Sequence, residues 1–79
     1  MLNIQSVTFE QESMILKIND LDYKFDLNRL SLKLLHATSR QRNEFQISPA
    51  NYGIHWPLID EDISVKQLLE KKRPPNGSL

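Results

Sequence analysis

Up to Phe25 the apolar residues recur at every second position, and beyond it at every third or fourth, so the chain must pass from strand to helix near that residue. Before the switch, Met14, Leu16 and Ile18 alternate with Ile15 and Lys17, and Tyr23, Phe25 and Leu27 alternate with Lys24 and Asp26. Asn19-Asp20 lies between these runs and supplies turn chemistry. Leu2 and Ile4 form a third alternating pair, and Val7 and Phe9 a fourth of opposite parity. A parity break of this kind means a β-bulge, or a strand with apolar groups on both faces. Three antiparallel strands are therefore expected. After the switch, Leu27, Leu30, Leu34 and Ala37 have helical spacing, with Asp26 as N-cap and Phe25 and Leu30 placed for a hydrophobic staple.

The second half repeats the pattern in shorter pieces. Thr38 to Gln41 has capping-box spacing and predicts a further helical turn. Phe45 and Ile47 alternate, as do Tyr52, Ile54 and Trp56, with Ser48-Pro49-Ala50-Asn51 as the loop between them. Ser64 to Gln67 is a second capping box, and Ile63 with Leu68 a second staple, predicting a helix from Val65 to about Lys71. Asp60-Glu61-Asp62 precedes that helix, where negative charge suits its dipole. The expected fold is α+β: a small antiparallel sheet with two to three short helices, in the order βββ-α-ββ-α. One domain is expected over residues 1–70, with a flexible tail over 71–79, where Pro74, Pro75 and Gly77 follow a basic run.

Composition narrows the function classes. A chain of 79 residues buries only roughly 60% of its unfolded surface, so a deep cofactor cavity would consume its core. There is no cysteine, hence no disulfide framework and no thiolate metal site. No apolar run approaches the roughly 18–20 residues that span a bilayer. The first residues lack the pattern of a signal peptide, and a cytoplasmic location is expected. Ten basic and ten acidic residues balance, so no field draws the chain toward phosphates and direct nucleic-acid binding is not expected.

The residues that could carry chemistry also have structural readings. Asp60, Glu61 and Asp62 could form a metal or acid–base site, but adjacent residues diverge where paired carboxylates must converge. His36 and His55, the two histidines, show no ligand-motif spacing. Tyr23, Tyr52 and Trp56 could stack on bases, but aromatics at alternate strand positions more often fill a core, and Trp56 is the expected anchor. Lys33, Arg40 and Arg42 could form a basic surface, diluted by Glu44. No serine sits in a nucleophile elbow, and two glycines cannot make a phosphate loop. No catalytic residue, cofactor-binding residue or metal ligand is assigned, and an enzyme is not expected.

Phe25-Asp26-Leu27, the run Ala37 to Arg42, Tyr52-Gly53-Ile54-His55-Trp56-Pro57 and the run Ile59 to Val65 with Leu68-Leu69 resemble the bacterial family known as domain of unknown function 2442. The resemblance implies a small α+β protein without an established activity. Some members are fused to a helix-turn-helix domain, which implies a regulatory role. Others are encoded beside a second small protein, a pair suggested to act as toxin and antitoxin. This chain shows no helix-turn-helix segment, so DNA binding by that route is not expected. The family signature falls here on Gly53, His55, Trp56, Pro57, Asp60, Glu61 and Asp62, and each has a structural reading. Gly53 permits a positive φ or a close backbone approach, Pro57 ends a strand, and the acidic run leads into a capped helix.

The expected function is a non-enzymatic protein-interaction module, the antitoxin-like partner in a small bacterial operon pair. Its partner is another small protein or a second copy of itself. The first strand is the candidate edge, with Val7 and Phe9 the candidate interaction residues, one of them facing outward. The alternative is a small-ligand or metal sensor using the His55 to Asp62 region.

Overall fold

The computed structural model of the chain describes residues 2–71. Three strands open it: β1 (Ile4–Glu10), β2 (Ser13–Ile18) and β3 (Leu21–Asp26), an antiparallel meander with β2 in the centre. Asn19 and Asp20 join β2 to β3 with φ of 51° and 68°. Positive φ at both central residues is what a two-residue hairpin following the strand twist requires. The turn is tied to β1, since the Asp20 amide donates to Gln5 Oε1 at 2.7 Å and Gln5 Nε2 donates to Asp20 Oδ1 at 2.9 Å.

The parity break in β1 is a bulge. Ile4 faces Ile18 and Ser6 faces Lys17, so Gln5 is the extra residue. One inserted residue resets the alternation, so Ile4, Val7 and Phe9 all turn toward the face that carries Met14, Leu16 and Ile18. This corrects the expectation that Val7 or Phe9 faces outward. Val7 is 8% exposed and belongs to the core, and Phe9 packs against it.

Asp26 caps the following helix by accepting from the Asn28 amide at 2.9 Å. The single helix expected to run on toward Ala37 is two: α1 (Leu27–Leu30) and α2 (Leu32–Leu35). Ser31 divides them. Its backbone is extended, its N–H closes α1 on Leu27 O, and its hydroxyl caps α2 by accepting from the Leu34 amide at 3.1 Å. A serine hydroxyl competes with the helical ladder in this way, and periodicity does not register it. The helical spacing is still satisfied, since Leu27 and Leu34 are both fully buried. Thr38 and Gln41 form the expected capping box, on α3 (Ser39–Asn43).

The second half holds a second sheet, β4 (Gln46–Ile47), β5 (Gly53–Trp56) and β6 (Glu61–Ser64), in that order and antiparallel. Two sheets replace the single one expected. β6 occupies the acidic run, which the sequence suggested as a lead-in to the last helix. Asp60 turns the chain at φ 52°, so Glu61 and Asp62 enter a strand opposite Trp56 and His55. The last helix, α4 (Val65–Lys71), starts as expected, with Ser64 Oγ accepting from the Gln67 amide at 3.3 Å. The expected tail lies outside the described residues apart from Lys71, which closes α4. No helix among the described residues is long and apolar enough to cross a membrane.

Trp56 joins the two sheets. It is fully buried, its Nε1 donates to Arg42 O at 2.9 Å, and its ring meets Phe9 edge-on at 6.5 Å and Phe45 at 6.2 Å. Arg42 binds the same region from the other side. Its guanidinium donates to Leu34 O at 2.9 Å, Leu35 O at 3.0 Å and Gln11 O at 2.7 Å. It thereby satisfies carbonyls that a helix C-terminus leaves open, and it lies 5.3 Å from the centre of the Phe9 ring.

Candidate functional site

The alternation of β5 turns Ile54 and Trp56 into the core and leaves Gly53 and His55 on the outer face. Pairing then builds two rows across that face. Gln46 faces His55, and His55 faces Asp62. Next to them, the Ser48 amide donates to Gly53 O at 3.0 Å, and Gly53 faces Ser64. A groove of about 510 Å³ covers this face, with Ile47, Pro49 and Tyr52 among its lining residues. Tyr52 is 58% exposed.

His55 Nδ1 lies 2.7 Å from Asp62 Oδ1, with the two side chains 38% and 74% exposed. An ionised carboxylate only accepts, so Nδ1 is the donor of this bond. Gly53 does not adopt a positive φ, so of its two sequence readings the structure selects close approach. A Cβ built there would lie 3.1 Å from Ile63 O. Ser48 Oγ accepts from the Tyr52 and Gly53 amides at 3.0 and 3.1 Å and fixes the loop that ends at Asn51. Asn51, at φ 59°, accepts from the Ile4 amide at 3.1 Å and ties that loop to β1.

The acidic run does not act as one cluster. Asp60 holds the turn, and its carbonyl accepts from Lys33 Nζ at 2.9 Å. Glu61 turns to the helices and accepts from the Ser31 hydroxyl at 2.5 Å. Only Asp62 joins the groove. Among the described residues no three His, Cys, Asp or Glu side chains are grouped to hold a metal ion. His36 is the C-cap of α2, whereas His55 lies on β5. The aromatic platform does not assemble either, because Trp56 is buried, Tyr23 packs against the core and Tyr52 stands exposed. Pro57 follows β5 directly and is exposed.

Gln46, Ser48 and Ser64 line the groove and were not singled out for it from the sequence. Their signal is the alternation of β4 and β6 with Gly53 and His55 of β5, which becomes readable only once the pairing partners are known. A second, larger hollow of about 930 Å³ borders the β1–β2 turn. Two of its carboxylates are engaged structurally, as Glu12 and Asp26 both accept from Asn28 Nδ2 at 3.0 Å.

Two solved structures share this fold. A protein of unknown function from Rhodospirillum rubrum is 23% identical, with a TM-score of 0.69 over 90% of this chain and 88% of its own. An uncharacterized protein from Chromobacterium violaceum is 30% identical, with a TM-score of 0.69 over 90% of this chain and 67% of its own. No curated protein matches. The family model described as protein of unknown function DUF2442 matches residues 4–74, which takes in all six strands, and the chain belongs to that family.

Proposed function

We propose that this chain is a non-enzymatic interaction module that docks another small protein on the outer face of β4, β5 and β6, as the antitoxin-like half of a two-protein pair. The observation that carries this is the groove with Tyr52 exposed at its edge. Asp62 is the one acidic residue among its lining and bonds His55, and no lysine or arginine lines it, so the groove has no positive field to attract phosphates. Exposed tyrosine beside apolar and uncharged polar groups is the composition of an interface centre. β1 is an edge strand, but its apolar side chains turn inward, and it offers no comparable surface for recognition.

The test places a photo-crosslinking phenylalanine analogue at position 52 in the native host. The captured protein is identified by mass spectrometry, purified and titrated against the wild-type chain and Tyr52→Ala. A single partner species is expected, with affinity reduced roughly tenfold or more by the truncation, as for an interface anchor. Capture of this chain alone would replace the reading with self-association. A partner that binds Tyr52→Ala as tightly as wild type would remove the face from the interface.

A second reading, the small-ligand sensor, draws on the His55–Asp62 pair within a groove whose volume falls in the range of small-molecule sites. A small molecule that co-purifies with the wild-type chain, and is lost from His55→Ala, would favour it over protein docking.

A further inference from the structure

We propose that the open edge of β3 receives a second copy of this chain, the two β3 strands pairing antiparallel about a two-fold axis at Tyr23. β3 is hydrogen-bonded to β2 alone, so its other side is a sheet edge. The backbone phase on that edge is fixed. Leu27 N–H donates to Glu12 O at 2.8 Å, which continues the register of Phe25 with Met14, Tyr23 with Leu16 and Leu21 with Ile18. Bonded and non-bonded pairs alternate along an antiparallel ladder. Leu21, Tyr23 and Phe25 therefore bond β2, while Asp22 and Lys24 direct N–H and C=O outward. Among the described residues no further backbone bond reaches Asp22 or Lys24.

Three symmetric registers match these outward groups, centred on Asp22, Tyr23 or Lys24. Centring on Asp22 or on Lys24 sets two like charges opposite each other at the axis, which is destabilising. Centring on Tyr23 sets Asp22 opposite Lys24 of the second copy, and Lys24 opposite Asp22, each pair closed by two backbone bonds. Both side chains are exposed. Charges on an edge strand ordinarily discourage pairing. Here they are spaced so that a copy of the same strand, in one register, matches both, as a two-fold interface requires. The same register brings Leu21 against Phe25 of the second copy. Leu21 is 58% exposed, although it shares a face with Phe25, and the pairing covers it. No residue of β4, β5 or β6 takes part, so the proposal goes beyond the docking reading and does not depend on it.

The experiment is sedimentation equilibrium of the whole chain, with charge-swapped variants. The wild type should form a reversible dimer with a dissociation constant on the order of 10 μM, as for a small interface. Asp22→Lys and Lys24→Asp should each weaken self-association about tenfold or more, since each sets like charges opposite twice. An equimolar mixture of the two should dimerise about as tightly as wild type, because the lysines of one variant then face the aspartates of the other. A second measurement uses the absence of cysteine from the chain. Tyr23→Cys sets two thiols opposite each other at the axis, with Cα atoms about 4.5 Å apart, within disulfide reach. It should oxidise to a covalent dimer at least tenfold faster than Leu21→Cys, whose two thiols lie well apart in this register. A wild-type chain that stays monomeric far above that concentration would overturn the proposal. So would swapped variants that self-associate like wild type, a mixture that does not pair, or equal oxidation of the two cysteine variants.

Discussion

The strands of the first sheet run six or seven residues and turn through two-residue loops, whereas those of the second run two or four and are joined by longer loops. Longer strands in tight hairpins gain most of their pairing from neighbours in sequence, and shorter ones gain too little to stand alone. The second sheet is held from outside. Trp56 anchors it beneath, Asn51 bonds β1, and Glu61 bonds Ser31 at the junction of α1 and α2. The outer faces differ as well. On the first sheet Lys17 faces Asp22, an ordinary solvated cross-strand pair. On the second, a glycine that β6 approaches closely shares the face with a His–Asp pair. The sheet that depends on tertiary contacts is also the one whose outer face carries the groove.

Removing the anchor should break this arrangement most. Trp56→Ala deletes a fully buried indole and should cost about 3–5 kcal/mol in urea melts. Against a total of about 4–12 kcal/mol for a chain this size, most of the stability would go. Hydrogen exchange should show β5 and β6 losing protection before β2. Equal loss in both sheets would mean that the first is no more independent than the second.

Arg42→Ala should come next. It removes three guanidinium–carbonyl bonds and should cost roughly 1.5–3 kcal/mol, the range for bonds to a charged group. Arg42→Lys should recover less than half, since an ammonium cannot span carbonyls of two segments as the planar guanidinium does.

Ser31→Ala removes both the α2 cap and the bond to Glu61, with an expected loss of about 1–2 kcal/mol. Combined with Glu61→Gln in a double-mutant cycle, the loss should be less than additive. Strict additivity would mean that the helices do not support β6 through this contact. Ser64→Ala, which removes only a cap, should cost about 1 kcal/mol.

The smallest effect belongs to the first sheet. The Asn28 side chain and then its backbone N–H donate to Asp26 and hold its carboxyl below the ordinary value of 3.8. A depressed folded value means that the contribution is present above 3.8 and lost as pH falls through the lower folded value. Asp26→Asn keeps the cap and should flatten the acid limb of stability below that pH, with little change at neutrality. An unchanged acid limb would show that Asp26 is not bonded this way in solution.

Much of the first half was legible because its signals are local. Alternation marked β2 and β3, Asn19-Asp20 marked the turn, and the opposed parity of Ile4 and Val7 marked an irregularity in β1, which the pairing resolves as a bulge at Gln5. The capping residues Asp26, Thr38 and Ser64 were legible for the same reason, since each bonds an amide two or three residues on. Ser31 was not, because a residue on the buried side of a helical pattern gives no sign that its hydroxyl will end one helix and start another.

The candidate site divides along the same line. Gly53, His55 and Asp62 were named from the sequence, but as members of a signature and an acidic run. Their assembly with Gln46, Ser48 and Ser64 depends on β6 pairing beside β5, which the turn at Asp60 and the contact between Glu61 and Ser31 bring about. The sequence by itself determined the α+β class, the first meander, the helix starts and Trp56 as core anchor, because hydrophobic period and capping act over a few residues. Tertiary structure alone decided that there are two sheets, that Val7 and Phe9 face inward, and that His55 meets Asp62 across the second sheet, because strand pairing joins residues whose sequence separation carries no local energetic signal.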